Sequence, residues 1–180
     1  MATVNKTDLA TRAFDFYLDI LWNCADDMVN AGIPVRCDKI VDFGIYPIDW
    51  TRAFCQEQKN ETTGETEFGI YIDYNAIFHM NDTRVVANIK DVICHELLHT
   101  CNGCMTHNKN FLRYARLCDK MLGTHTLRHL DKTAYYNPDR TIKSRFVCEK
   151  CGFEHVLSYD CNGDCECEIC GHRMTRVAGV

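Results

Sequence analysis

The sequence predicts an α+β fold, in which a main domain of helices and one small sheet is followed by a small cysteine-rich unit. Three observations support this prediction: three segments with helical apolar spacing, three short strand-like segments between the first and second of these, and cysteine pairs clustered near the C-terminal end. With 180 residues, 46% of them hydrophobic and 25% charged, the chain can bury one full core but not two large ones. We therefore expect a main domain over residues 1–125, a basic linker over 126–147 and the cysteine-rich unit over 148–180.

The first helix and the sheet occupy the N-terminal part of the predicted main domain. Apolar side chains recur every three to four positions over residues 7–30, which is the period of a helix, and Gly32 with Pro34 ends the pattern. Strands are expected over residues 40–46, 52–58 and 68–74. Apolar residues alternate with others in the first and third strands, which indicates a sheet with one covered face.

Two further helices complete the main domain. The second is expected to begin at Asn81 or Asp82, either of which is a good N-cap, and to be ended by the Asn102-Gly103 pair. The third is expected from about residue 108 to residue 122, and Gly123 is its stop signal.

The second predicted helix carries an H-E-x-x-H motif at residues 95–99. Residues four apart lie one turn apart on the same helix face, so His95 and His99 can bind one metal ion together. A catalytic zinc usually takes three protein ligands and keeps one position for water, and His107 is the nearest suitable third ligand. Glu96 lies beside the first ligand, where it can act as general base on a metal-activated water. The motif therefore predicts a zinc hydrolase.

Further candidate residues surround the motif. Cys101 and Cys104 form a C-x-x-C pair between the ligands, which we interpret as reduced thiols packed in the turn, with a metal or redox role as the alternative. Arg113, Tyr114 and His125 are candidates for stabilising an oxyanion, by position alone.

Two C-x-x-C pairs in the C-terminal unit predict a structural zinc site. The pairs are separated by fifteen residues and each is followed by a glycine, which permits the tight turn of a zinc knuckle. The four expected ligands are Cys148, Cys151, Cys167 and Cys170. The unit has little apolar content, so bound zinc is expected to supply its folding free energy. Cys161 and Cys165 are surplus, and either is an alternative ligand or part of an auxiliary pair.

Charge is segregated along a chain whose net formal charge is −5. Residues 109–150 carry 10 Lys and Arg against 4 Asp and Glu, a formal charge of +6, whereas the segments before and after them are acidic. A basic segment in an acidic protein is a candidate polyanion-binding surface, and a solvated helix face with a charged linker is the alternative. The candidate contacts to nucleic-acid phosphates are Arg140, Lys143, Arg145 and Lys150.

The sequence also bears on where the protein works. No apolar run approaches the roughly 20 residues of a membrane span, and the N-terminus lacks the layout of a secretory signal. We therefore expect an intracellular protein, cytoplasmic or nuclear, that is not secreted, has no membrane partner and acts as a monomer. In that setting, clustered cysteines indicate metal binding rather than disulfides.

Together these motifs resemble the SprT-like family of zinc metalloproteases, which includes the Spartan-type DNA–protein crosslink proteases. The resemblance rests on residues 95–99, on His107-Asn-Lys-Asn-Phe111 in the place of an H-G-x-x-F element, on the strand that begins at Arg52, and on the C-terminal ribbon. It covers nearly the whole chain. Asn108 stands where the family usually has glycine, and the short gap between the second and third histidines resembles the compact microbial or viral members.

The resemblance implies a zincin-like metalloprotease domain with an N-terminal helix, a small and mostly antiparallel sheet, the active-site helix and a following helix. It also implies a C-terminal zinc ribbon and a substrate strand along the sheet edge. One catalytic and one structural Zn²⁺ are the expected cofactors, and a protein substrate and single-stranded DNA are the expected partners.

The leading hypothesis is a zinc-dependent endopeptidase that cleaves DNA-associated or DNA-crosslinked proteins, with a role in DNA repair. One alternative is a DNA- or protein-binding zinc module whose protease site is weak or latent. Another is a zinc hydrolase that acts on a non-protein amide or ester.

Overall fold

The computed structural model describes residues 6–48, 51–130, 135–136 and 142–177. Over these residues the chain forms an α+β fold, which confirms the predicted class. The helices are α1 (Lys6–Asn30), α2 (Thr83–His99) and α3 (Lys109–Leu122). The strands are β1 (Ile40–Tyr46), β2 (Ala53–Lys59), β3 (Thr66–Asp73), β4 (Arg128–Leu130), β5 (Ser144–Val147), β6 (Glu154–Leu157) and β7 (Thr175–Arg176).

The helix ends follow the capping signals in the sequence. Asp82 is the N-cap of α2, and its carboxylate accepts hydrogen bonds from the backbone N–H groups of the first turn. Asn108 caps α3 in the same way. Gly123 ends α3 in the left-handed conformation, with a φ of 66°, which a residue with a Cβ rarely adopts. Local sequence therefore determines where both helices begin and where α3 ends.

The first sheet is mixed, with the strand order β1-β3-β2. β3 takes the central position, and its Phe68, Ile70 and Ile72 are all buried. β2 ends in four exposed residues, as is usual for an edge strand. β2 and β3 form an antiparallel hairpin, but β1 joins the far side of β3 in parallel. The expectation of a mostly antiparallel sheet is therefore wrong, since one of the two strand pairs is parallel.

The main core lies between this sheet and the three helices. α2 packs against α1, α3 and β2, and its Ile93, Leu97 and Leu98 are fully buried. α1 is anchored further by Tyr17, whose hydroxyl donates a hydrogen bond of 2.9 Å to the carbonyl of Ala76. Because α2 is held on several sides, the histidines near its C-terminal end sit on a rigid support.

The second sheet has the order β4-β6-β5-β7 and supports the C-terminal unit, which here means residues 142–177. β4 and β5 both come from the interval 126–147 that the sequence predicts to be a linker, and Tyr135 and Tyr136 of the same interval are buried in the main core. The unit has its own small core, which includes Phe146, Phe153 and Met174. Among the described residues, no helix combines the length and the apolar character that a membrane-crossing segment requires.

Candidate metal centre

Three histidines converge at the C-terminal end of α2. His95 and His99 lie one turn apart on the helix, and the turn at Gly103, with a φ of 71°, returns the chain so that His107 meets them. His95 Nε2 lies 3.0 Å from His107 Nε2, and the ligand atoms of all three residues lie within 4.8 Å of one another. This three-histidine cluster, made of the ligands predicted from the sequence, could hold a metal ion.

Hydrogen bonds orient two of these rings for metal binding. His95 Nδ1 lies 2.7 Å from the carbonyl oxygen of Thr126, and His99 Nδ1 lies 2.8 Å from that of Cys104. A carbonyl oxygen only accepts hydrogen bonds, so each Nδ1 carries the proton and each Nε2 keeps a free lone pair. Such an outer partner is the usual companion of a metal-ligating histidine.

Burial keeps the three imidazoles neutral, which is the state that binds a metal. Desolvation lowers the pKa of His95 to about 3 and that of His107 to about 4, and it also lowers the pKa of His99. A neutral imidazole donor set suits Zn²⁺, and also Cu²⁺, Fe²⁺ and Ni²⁺.

Phe111 packs against all three rings of the cluster. Its ring centroid lies 5.0 Å from that of His95, 4.8 Å from that of His99 and 4.7 Å from that of His107, and the side chain is fully buried. Asn108 accepts hydrogen bonds from the backbone N–H groups of Asn110 and Phe111. Asn108 is thus the helix cap that begins α3.

Asp119 supports the three-histidine cluster indirectly, through the turn that follows α3. Its Oδ1 accepts hydrogen bonds from the Thr126 N–H at 2.7 Å, the Thr126 hydroxyl at 2.8 Å and the Thr124 hydroxyl at 3.0 Å. These bonds fix the turn after α3 whose carbonyl, on Thr126, orients His95. Asp119 is therefore a positioning residue that acts through Thr126.

We expect Asp119→Ala to weaken zinc binding by the three-histidine cluster roughly 10- to 100-fold, the usual effect of losing an outer partner. Asp119→Asn is the matched control, because it keeps an acceptor oxygen and should lose less. Competition with a chromophoric chelator measures both affinities. Equal zinc affinity in the alanine variant and the wild type would contradict this role.

Glu96 points into the same cleft as the cluster. Its side chain is buried, and this burial raises its pKa to about 8, although a hydrogen bond from the backbone N–H of Cys55 in β2 opposes the shift. Glu96, His95 and His107 together line a cleft of about 280 Å³. A cation held beside Glu96 would favour its ionised form.

Residues of the main domain and residues of the C-terminal unit both line the cleft. Arg52 lies at the β2 side, and Arg128 is held near the entrance by Asp91, with a guanidinium–carboxylate distance of 3.3 Å. The C-terminal unit contributes Phe153, Glu168 and Ile169.

The predicted oxyanion candidates separate in the structure. His125 lines the cleft. Arg113 and Tyr114 instead contact each other and line a groove beside Gly32 and Pro34, away from the cluster.

The four cysteines predicted to bind structural zinc converge in the C-terminal unit. Cys151 Sγ lies 3.4 Å from Cys167 Sγ and 3.8 Å from Cys170 Sγ, and Cys148 Sγ lies 3.6 Å from Cys170 Sγ. Four thiolates on one tetrahedral zinc ion, at about 2.3 Å each, would be separated by about 3.8 Å. This four-cysteine cluster could therefore hold a metal ion, and no disulfide joins its thiols.

The other cysteines near the two clusters are not part of them. Cys101 and Cys104 are buried in the main core, in agreement with the interpretation of packed thiols. Cys161 and Cys165 lie outside the four-cysteine cluster.

The candidate nucleic-acid contacts differ in their exposure and in whether they already have a partner. Lys143 and Lys150 are exposed. Arg145 is already engaged, since its guanidinium lies 2.5 Å from the carboxylate of Glu154. Arg140 lies outside the described residues.

Sequence reasoning did not identify the partners of the histidines. The carbonyls of Cys104 and Thr126 could not be recognised, because every residue carries one. Asp119 did leave a signal: an acidic residue in the last turn of a helix is unfavourable beside the helix dipole and needs a compensating partner.

No family model, no curated protein and no solved structure matches this chain. Its function is therefore inferred from the residues and geometry of the site.

Proposed function

We propose that this chain is a zinc-dependent endopeptidase of the SprT-like kind, with a zincin-like main domain and a zinc ribbon. The observation that supports the proposal most directly is that Glu96, His95 and His107 line one cleft, with His99 completing a set of three neutral imidazoles. A general base beside three histidine ligands is the arrangement of a catalytic zinc site.

The chain's own residues can perform the proton transfers of peptide hydrolysis. Zinc held by the three-histidine cluster would supply a Lewis acid that activates water and polarises the scissile carbonyl. Glu96 would accept a proton on its carboxylate and deliver it to the leaving amine. The hydrogen bond that the Cys55 backbone N–H donates to Glu96 holds that carboxylate in position.

The edge strand β2 offers a place for an extended substrate. β2 pairs with β3 on one side only, and Thr51 and Arg52, just before it, line the cleft. An extended peptide can add to such an edge through backbone hydrogen bonds, which places its scissile bond by geometry rather than by sequence. Loose sequence specificity follows from this mode of binding.

DNA-associated proteins are the proposed substrate class. This part of the proposal rests on the resemblance and on the basic segment 109–150, of which Lys143 and Lys150 are exposed. Phosphate contacts made by exposed lysines would hold the substrate's DNA near the cleft, with an affinity that falls as salt rises.

The proposal is tested with a protein crosslinked to single-stranded DNA and with the same protein free of DNA. We expect the zinc-loaded full chain to cleave the crosslinked protein faster, chelation to abolish cleavage, and added zinc to restore it. Lys143→Glu should reduce the advantage of the crosslinked substrate, whereas Lys90→Glu, outside the basic segment, should not. Absence of cleavage of both substrates by the zinc-loaded protein would refute the protease function, and equal rates on both would refute the DNA-linked substrate.

A second candidate function is a binding module with a latent protease site. The observation that favours it is the wall formed by Phe153, Glu168 and Ile169, since a substrate must enter the cleft beside the C-terminal unit. Retained DNA binding without cleavage, in a fully zinc-loaded protein, would favour this candidate.

A further inference from the structure

Two further histidines meet beside the three-histidine cluster. His129 in β4 and His155 in β6 are register partners in a parallel strand pair, and their rings stack with centroids 4.9 Å apart and planes inclined by 9°. Glu168, between the two cysteines of the second C-x-x-C pair, brings its Oε2 to 3.4 Å from His129 Nδ1. The ligand atoms of these three residues lie within 4.8 Å of one another.

We propose that His129, His155 and Glu168 form a further site for a divalent transition metal ion such as Zn²⁺, in the cleft that also holds the three-histidine cluster. His129 and Glu168 both line this cleft. The site would be the third among the residues that the structure describes, and it does not depend on the proposed protease activity.

The donor set and its spacing fit such an ion. Two imidazoles and one carboxylate are a common set of protein ligands for zinc, and they leave a coordination position for water. Two ligands on a tetrahedral ion with bonds of about 2.1 Å are separated by about 3.4 Å, and the distance between His129 Nδ1 and Glu168 Oε2 has this value. The same two groups form an ion pair when His129 is protonated, and a bound ion would replace that contact.

The three side chains are held by separate elements of the fold. The pairing of β4 with β6 sets the two histidines side by side, and Glu168 lies between Cys167 and Cys170 of the four-cysteine cluster. The side chains of His129 and Glu168 are 39% and 56% exposed, so an ion can reach them from solvent.

A bound ion would link strand β4 to the C-terminal unit. β4 begins two residues after Thr126, whose carbonyl orients His95. The ion would therefore brace the wall of the cleft close to the three-histidine cluster.

The site is tested by counting zinc in the full chain after equilibration in a zinc-buffered solution. We expect three equivalents for the wild type and two for both His129→Ala and His155→Ala. His172→Ala is the matched control, since His172 is exposed in the same unit and belongs to none of the three clusters, and it should keep three equivalents of zinc. Zinc titration should show the third equivalent weakened at least about tenfold in Glu168→Gln, since even loss of an outer partner costs 10- to 100-fold.

Two outcomes would overturn the site. One is a wild type that binds two equivalents at saturating zinc, both of which persist in His129→Ala, and the other is a third equivalent that persists in both histidine variants. His99→Ala separates this proposal from the protease proposal, because it should remove the equivalent of the three-histidine cluster and leave the new site occupied. Circular dichroism of each variant confirms that the fold is retained.

Discussion

Glu96→Gln is expected to lower kcat/KM for peptide hydrolysis by roughly 10²- to 10⁴-fold, the usual contribution of a general base. The amide can still accept the hydrogen bond from the Cys55 N–H, so the cleft keeps its shape, but it cannot take a proton from water. Zinc content should be unchanged, since the three histidines remain. Peptidase assays and metal analysis on the same preparation measure both quantities.

Glu61→Gln is the matched control, because Glu61 is an exposed carboxylate in the turn between β2 and β3 and should leave activity unchanged. A Glu96→Gln variant that keeps wild-type activity, with zinc bound, would show that another group is the base.

The thermal stability of the metal-free protein provides a second, independent measurement on Glu96→Gln. The folded state raises the pKa of Glu96 from 4.5 to about 8, mainly through burial. The folded protein therefore holds a proton on Glu96 that the unfolded chain releases, so Glu96 contributes a loss of stability to the metal-free protein as pH rises between these values. The three buried imidazoles, whose pKa values are lowered, contribute the opposite trend as pH rises toward their ordinary pKa of 6.5. Glu96→Gln removes the contribution of Glu96, so at pH 7.5 the metal-free variant should have a Tm equal to or above that of the wild type. A lower Tm would mean that the substitution damages the core.

Cys151→Ala is expected to unfold the C-terminal unit and to remove the zinc of the four-cysteine cluster. The ion proposed at His129, His155 and Glu168 should be lost with it, because His155 and Glu168 lie in that unit. The small core of this unit consists largely of the ligand cysteines themselves and a few apolar side chains, so little burial remains once the ion is lost. Structural zinc sites supply on the order of 10–16 kcal/mol of apparent binding free energy, which is folding free energy in units of this size. Hydrogen exchange should show loss of protection in β5 and β6 while α1 and α2 stay protected.

Cys161→Ala is the control for this experiment, because Cys161 is half-buried in the same unit but lies outside the four-cysteine cluster. It should keep its zinc and its protection. A Cys151→Ala protein with full metal content and a folded C-terminal unit would contradict the structural zinc site.

Unfolding of the C-terminal unit in Cys151→Ala would also affect the cleft. Phe153, Glu168 and Ile169 form one of its walls, so an unfolded unit leaves the three-histidine cluster more open to solvent. Glu96→Gln thus removes the proposed general base from the cleft, whereas Cys151→Ala removes one of the walls that enclose it.

Much of this arrangement could be predicted because its signals are local. The apolar period of α1, the caps Asp82 and Asn108, and the stop at Gly123 all depend on neighbours within one or two turns. The three histidines and the four cysteines were found in the same way, since helix geometry and C-x-x-C spacing bring donor atoms together over short stretches of chain.

The sheet order was predicted less well. The alternation in β3 correctly indicated a covered face, but nothing in the sequence of β1 distinguishes a parallel from an antiparallel partner. That choice depends on the direction in which tertiary packing places β1 against the free edge of β3.

Local spacing was sufficient for the helix limits and for the ligands of both predicted metal sites. The folded chain was needed to bring Asp119 to the turn that orients His95, to place Phe153 and Glu168 in the wall of the cleft, and to unite Glu168 with His129 and His155. These contacts join residues that are far apart in sequence, and they arise from the packing of two sheets and several turns, for which one sequence carries no periodic signal. Interactions between residues a few positions apart can therefore be predicted from spacing in the sequence. Contacts between distant residues cannot, because they form only when the chain packs.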